Sequence, residues 1–401
     1  MSDAEVLVSG ASIAGPALAH WLHRHGAEVT VVEQTPGLRP GGQAVDARGV
    51  AKEVIRRMGL DTAVRAACTD TAGAYTVDAN GNILETYRAD DDSGDGYIAE
   101  IEILRGDLSQ VLYDDTRDAV EYVFADRIAD LTQDADGVDV TFAVGTRRRF
   151  DLVIGADGLH SALRSMVFGP RERFVRHLGL VLAYYSVPNE FGLDRWLIDY
   201  QEAGRSAGLR PIRDATRAIA MLSFHAGDFT VDHRDVEGQK RLLRERMAGF
   251  GWLTQRILSH LDDTPDFYLD QVAQVVMDRW SIGRVGLLGD AAFSASPMSG
   301  GGTGLALVGA YMLAGELAAS DWDPQAGFAG YEERMRTYVE ANQEIGRLHV
   351  RSLTGTEPDA EPRPEPDIEA LTALIERAVG GPELPQYGID QLLSTTGETI
   401  R

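Results

Sequence analysis

The first 33 residues constrain this chain more tightly than any other stretch. Residues 5–9, EVLVS, are a short apolar run suited to a buried parallel strand. VSGASIAGP follows, with Gly10 and Gly15 in the turn and Pro16 where a first helical turn tolerates a missing N–H. Ala14, Ala17, Leu18, Trp21, Leu22 and His25 then recur at helical spacing, and Gly26 ends the run. Residues 27–33, AEVTVVE, form a second strand that closes on the acid Glu33. Strand, glycine turn, helix, strand and carboxylate predict a βαβ unit and an α/β fold built on it.

Each part of that unit has a physical task in holding a dinucleotide. Gly10 permits the tight turn, and Gly15 lets helix and strand pack closely. The helix start at Ile13 and Ala14 offers free N–H groups and a partial positive charge to a pyrophosphate. Glu33 can accept hydrogen bonds from a ribose diol, and its charge disfavours a 2′-phosphate, so NADP is not expected in this pocket. Ser12 stands where the fingerprint has its second glycine; it is small, and its hydroxyl can itself donate to a phosphate.

Composition removes several classes of function. The 401 residues carry a net charge of −24, a surface that repels nucleic acid and anionic membranes. Arg147, Arg148 and Arg149 are the local exception, expected on the solvated face of a strand. The single cysteine, Cys68, forbids an intrachain disulfide, a CxxC redox pair and a cysteine-built zinc site, and no metal is expected. Residues 304–319 are apolar but interrupted by Glu316 and too short to span a membrane. A cytoplasmic protein, monomeric or homodimeric, is the expectation.

Two further motifs lie far down the chain. Residues 151–158, DLVIGADG, are an apolar strand running into an Asp-Gly turn, with Ser161 and Arg164 beyond. Residues 285–290, VGLLGD, again end a strand in an acid; Pro297, Gly300, Gly301, Gly302 and Gly304 then precede an apolar helix that begins near Thr303. GxSxxG, GADG and GD…P…GxG, in this order, resemble the FAD-dependent aromatic hydroxylases, the single-component flavin monooxygenases of the p-hydroxybenzoate hydroxylase type. The resemblance covers most of residues 1–350. RPGGQAVDARGVAKEVIRRMGL and EILRGDLSQVL are similar to stretches of the tetracycline-inactivating monooxygenases and of actinobacterial polyketide-tailoring enzymes.

The resemblance implies a Rossmann-like FAD-binding domain, an antiparallel β-sheet substrate domain and C-terminal helices. It places Gly10, Ser12, Ile13, Ala14 and Gly15 at the FAD pyrophosphate and Glu33 at the adenosine ribose. Arg105 would reach the phosphate or ribityl chain, and Asp290 the ribityl hydroxyls. Pro297, Gly300, Gly301, Gly302 and Thr303 would pass along the isoalloxazine, with Gly42 and Gln43 on its other side. Asp157, Gly158 and Arg164 belong to the shared FAD and nicotinamide region. Arg48 is a further cofactor candidate, with a surface ion pair as the alternative. The implied reaction uses NADH or NADPH, O2 and a flavin hydroperoxide to hydroxylate an aromatic or polyketide-like small molecule. Epoxidation, Baeyer–Villiger oxygenation, and a structural FAD in a non-redox cyclase or ligand-binding protein remain open alternatives.

The implied division is discontinuous. Residues 1–70, 96–171 and 276–345 would form the FAD-binding domain, and 71–95 with 172–275 the substrate domain. Residues 172–275 lack nucleotide motifs and read as strands rich in aliphatic and aromatic residues. Arg210 and His225 are polar tips there that could face a substrate. Helical stretches are expected at 239–247 and near 252–261. Residues 346–401 would be a C-terminal loop and helical segment, with 355–367 a Pro- and acid-rich loop. Ile368, Leu371, Leu374, Ile375 and Val379 would make one docking face.

Overall fold

The computed structural model describes residues 4–89, 96–227, 232, 235–354 and 368–388. Glu5–Ser9 lies at the heart of a six-stranded sheet, parallel to Glu28–Glu33 on one side and Leu152–Gly155 on the other. Glu121–Phe124 extends one flank and Val285–Leu287 the other, both parallel, and a short antiparallel strand Ser281–Ile282 closes that edge. Both faces of the central strands are buried, which is why EVLVS and DLVIG read as continuous apolar runs rather than alternating ones. The helices Ala14–Arg24 and Gly302–Ala319 pack on each other, and the second also packs on the 31-residue helix Pro324–Thr354.

Helix Gly302–Ala319 is, by length and composition, long and apolar enough to cross a membrane, contrary to the expectation from 304–319. Most of it is packed inside the protein, where it belongs to the main hydrophobic core. An all-round apolar helix is what such a buried position requires.

A second sheet of seven strands has the order Tyr268–Val275, Val175–Pro188, Arg217–His225, Arg205–Pro211, Trp196–Glu202, Gly73–Val77, Ile83–Arg88. Its pairings are antiparallel as expected, except that Trp196–Glu202 and Gly73–Val77 run parallel. Gly73 and Trp196 lie far apart in sequence, so no hairpin turn joins these strands and local pattern cannot set their direction. Helices Val236–Arg246 and Thr254–Leu258 cover one face of this sheet, near the stretches expected to be helical. A two-stranded ribbon, Ala44–Ala47 with Ile101–Leu104, and a three-stranded antiparallel unit over 128–150 complete the sheets. The arginine run lies on strand Arg147–Phe150, where Arg148 pairs with Glu121 and Arg149 with Asp134 and Asp139.

The C-terminal helix Ile368–Gly380 docks on the body, but by a narrower face than its sequence implies. Leu374 and Ala378 are buried against Ala341 and Ile345, whereas Ile368 and Ile375 are exposed. The expected loop at 355–367 lies outside the described residues.

Candidate active site

The nucleotide turn is held by contacts that allow no side chains at two positions. Gly10 sits at φ +110°, and a Cβ there would lie 2.4 Å from the Ala156 carbonyl oxygen. A Cβ on Gly15 would lie 1.9 Å from the Gly10 oxygen. Glu33 closes over the turn from the next strand. Its Oε2 accepts the Ala11 N–H at 3.0 Å, and its Oε1 accepts the Thr35 N–H and hydroxyl at 2.9 and 2.8 Å. Ser12 has a different partner: Nη1 of Arg105 donates to its Oγ at 2.9 Å. Helix Ala14–Arg24 starts without a side-chain cap, so its first N–H groups keep their capacity for an anion.

Arg105 arrives there because the main chain around it is pinned. It opens helix Arg105–Thr116, its N–H donates to the Gln43 carbonyl at 3.0 Å, and the Gly106 N–H donates to Gly41 at 2.9 Å. Gly42, at φ +91°, lies so close that a Cβ would approach the Arg105 Nε at 3.2 Å. Burial, and next the neighbouring Arg39, draw the Arg105 guanidinium below its ordinary pKa. A cation held at such a cost suits a phosphate partner.

The third motif forms the opposite wall. Asp290 begins the short helix Asp290–Phe293 after Gly289, and it is exposed to solvent. Enclosure by surrounding protein nevertheless pushes its carboxyl above the usual range. Beyond it, Pro297–Ser299 makes one 3-10 turn, and Gly300 takes the left-handed conformation at φ +67°. The glycine run has a packed side and an open side. A Cβ on Gly301 would sit 1.7 Å from Asn342 Oδ1, and one on Gly304 2.7 Å from the Tyr338 hydroxyl. Cβ atoms on Gly300 and Gly302 would meet nothing within 4 Å. Thr303 is buried in the first turn of the helix Gly302–Ala319, which carries no side-chain cap.

The Asp-Gly turn stands behind these walls. Asp157 Oδ2 accepts the N–H groups of Ala162 and Leu163 at 2.9 and 3.1 Å, and Gly158 turns at φ +80°. Arg164 is fully buried, with Nη1 on the Ala291 carbonyl at 2.8 Å and Nη2 on the Leu159 carbonyl at 2.7 Å. It therefore fastens the Asp157 turn to the Asp290 helix from behind rather than lining the cleft.

The second sheet supplies further polar groups. Arg210 is nearly buried and donates to Glu102 Oε2, while Glu102 Oε1 accepts from Thr69 and Thr71, each at 2.6 Å. Burial alone would raise the Glu102 carboxyl, but Arg210 and the two hydroxyls hold it below the ordinary value. Arg48 bonds Asp46 Oδ2 at 3.0 Å and also donates to the Gly96 and Tyr97 carbonyls. Its ion pair is half-buried. His225 is exposed at the end of its strand, where Nδ1 accepts the Gly227 N–H at 3.1 Å. Arg210 sits opposite Ile219, six positions from His225, so the two substrate candidates stand roughly 20 Å apart.

Sequence reading passed over several groups that the structure brings together here. Asp46, Glu102 and Asp199 each interrupt an apolar strand, which is the signal that could have found them. Tyr268 donates to Asp270 at 3.1 Å, and Asp270 also pairs with His160 at 2.8 Å. The Tyr268 and Tyr184 rings stack at 6.5 Å, and burial pushes the Tyr184 hydroxyl up to about 12.

These features fit FAD. Two uncapped helix starts, a desolvated arginine at the glycine turn, a carboxylate at the far end of the turn and a glycine loop with one open side are what a pyrophosphate, a ribose and a flat ring would use. The FAD binding domain family matches residues 3–346. The chain is 46% identical over 373 residues to uncharacterized protein Rv1260 of Mycobacterium tuberculosis, across 92% of this chain and 98% of that one. It is 36% identical over 390 residues to a flavin-dependent monooxygenase of Legionella longbeachae, across 96% and 98%. The crystal structure of tetracycline destructase Tet(55) superposes with a TM-score of 0.84 at 38% identity, covering 96% of this chain and 99% of that one. A family match over most of the chain and a relative sharing more than a third of its residues along nearly its whole length agree: this chain belongs to the FAD binding domain family and is a flavin-dependent monooxygenase.

Proposed function

We propose that this enzyme hydroxylates an aromatic or polyketide-like small molecule, using O2 with NADH or NADPH as reductant. When bound, FAD would supply the electron transfer from the nicotinamide to O2, and overall one oxygen atom would enter a substrate C–H bond as hydroxyl while the other left as water. Gly10, Ser12, Ile13, Ala14, Gly15 and Arg105 would hold the pyrophosphate, Glu33 the ribose and Asp290 the ribityl hydroxyls. The open side of 300–302, and the N–H groups at the start of helix Gly302–Ala319, would stabilise negative charge on the reduced ring. Gly42, Gln43 and Arg48 would close the other side. The FAD-binding part would comprise 1–70, 96–171 and 276–345, and the substrate part 71–95 with 172–275.

One observation carries this reading. Tyr268, on the second sheet, lies within electrostatic reach of both Arg105 and Asp290, and its ring neighbour Tyr184 feels Arg210 and Asp199. That proximity supports a cleft shared by the proposed cofactor and substrate walls, as oxygen transfer from a bound ring to a bound substrate requires. The test is anaerobic: NADPH or NADH is added to the FAD-loaded protein with a panel of phenols, and the visible flavin band is followed. Bleaching that one compound accelerates is the expected result. A band that no reductant or compound bleaches overturns the hydroxylase reading.

A further inference from the structure

The roof of the cleft contains one cross-strand row. Tyr268 opposes Tyr184, Tyr184 opposes Met221, Met221 opposes Gly208, and Gly208 opposes Asp199. Residues directly opposite in a sheet project to the same face, so these five share one surface. Four strand spacings separate Tyr268 from Asp199 by ~19 Å. Tyr268 feels Asp290 and Arg105 and so marks the proposed cofactor side. Asp199 lies four strands away from it, and Thr76 and the exposed Glu85 continue the register beyond.

Gly208 makes room for that carboxylate. A Cβ at 208 would lie 2.2 Å from Asp199 Oδ1, so no other residue leaves the acid where it stands. The hydroxyl of Tyr97 donates to Asp199 Oδ2 at 3.2 Å, and the Tyr97 ring stacks on Tyr87 at 4.4 Å. The charges around Asp199 are otherwise committed. Arg210 bonds Glu102, and Arg48 bonds Asp46. Among the described residues no cation forms a salt bridge with Asp199. Beside those two ion pairs Asp199 is a further carboxylate, with Arg210 acting on it only at longer range. An anionic substrate would meet that charge with Arg210 already taken.

Resting on the reading of this cleft as the substrate site, we propose that Asp199 is a specificity-determining residue that selects an aromatic substrate carrying a protonated amine. The ammonium group would donate to Asp199 beside the Tyr97 ring, an aromatic neighbour that favours a cation. The row's length suits an extended molecule whose charged end lies far from the proposed cofactor side. Burial holds the Asp199 carboxyl above the usual range despite the nearby Arg210, and an added positive charge would favour its ionised form.

The test uses three matched phenolic probes on the full-length, FAD-loaded protein: cationic 5-hydroxytryptamine, neutral 5-hydroxytryptophol and anionic 5-hydroxyindole-3-acetate. Calorimetry gives each Kd without turnover. The amine is expected to bind about tenfold or more tighter than the alcohol, with the acid weakest. Asp199→Asn should erase the order at nearly constant shape. Gly208→Ala, which drives a methyl into the carboxylate, should weaken the preference by a separate route and decides the matter if the first variant does not fold. Absence of an amine preference, a preference untouched by both folded variants, or failure of all three probes to bind overturns the proposal. If the flavin band still bleaches with reductant and a phenol while the amine has no advantage, only this inference falls and the hydroxylase reading stands.

Discussion

Arg105 Nη1 donates to Ser12 Oγ at 2.9 Å, joining two positions 93 residues apart at the proposed pyrophosphate site. The serine that breaks the glycine fingerprint is thus an acceptor that orients a desolvated arginine. Arg105→Ala is expected to weaken FAD binding about a hundredfold, because a charge-assisted phosphate contact is lost and nothing replaces it. Ser12→Gly restores the fingerprint but releases the arginine, and should weaken binding only a few-fold. Reconstitution of the apoprotein, followed by quenching of flavin fluorescence, measures both. Equal affinity in Arg105→Ala and the parent would remove the arginine from the cofactor site.

Glu33 joins the turn to the next strand through three accepted hydrogen bonds. An ionised carboxylate only accepts, whereas a glutamine presents two donor hydrogens on one of its two positions. Glu33→Gln must therefore oppose a donor to either the Ala11 N–H or the Thr35 pair. A loss of about 1–3 kcal/mol of stability is expected, with FAD affinity lowered about tenfold. Thermal melts with and without FAD separate the two effects. The variant should show a smaller FAD-induced rise in Tm than the parent.

The parts of the site legible in the sequence are those that local geometry forces. Gly10, Gly15 and the acid at 33 lie within one βαβ unit, where turn sterics and strand length fix their relation. The glycines at 300–302 announce a loop whose backbone something must approach closely. Arg210 also declared itself as an arginine in an apolar strand, but its partner Glu102 comes from a ribbon 108 residues away. Asp199 needed the register of five strands before its neighbours were known, and register depends on non-local pairing. Arg164 shows the opposite limit. A motif position gives the residue type, yet only the fold shows that its guanidinium serves two main-chain carbonyls.

Gly301 and Asn342 are coupled by space. Asn342 is buried, and its Nδ2 donates to the carbonyls of Tyr338 at 3.0 Å and Ala378 at 3.1 Å, so it also holds the C-terminal helix. Its Oδ1 occupies the place a Cβ at 301 would take. Gly301→Ala should cost about 1–3 kcal/mol, since this neighbour is fixed at its other end. Asn342→Ala is destabilising alone but removes the clash. The double variant should then be less destabilised than the sum of the singles by at least about 1 kcal/mol. Denaturant unfolding of the four proteins gives the coupling, and additive losses would show that the loop moves away from Asn342 freely.

His25 ends the first helix with its Nε2 buried and unbonded, and burial lowers its pKa to about 4. Its unfolded value is about 6.5. The folded pKa is the lower one, so the unfolded chain binds the proton first. The stability that a neutral His25 contributes is complete above pH 6.5 and is lost as pH falls toward 4. His20, lowered chiefly by burial despite its bond to Asp115, acts in the same direction. At pH 5 the loss from His25 should be about 1–2 kcal/mol, the lower part of that range allowing for solvent screening at a partly exposed ring. His25→Gln cannot titrate. Its Tm should fall less between pH 7 and pH 5 than that of the parent, while the carboxylates contribute equally to both. Parallel Tm curves for the two proteins would mean that His25 opens to water before it takes up its proton.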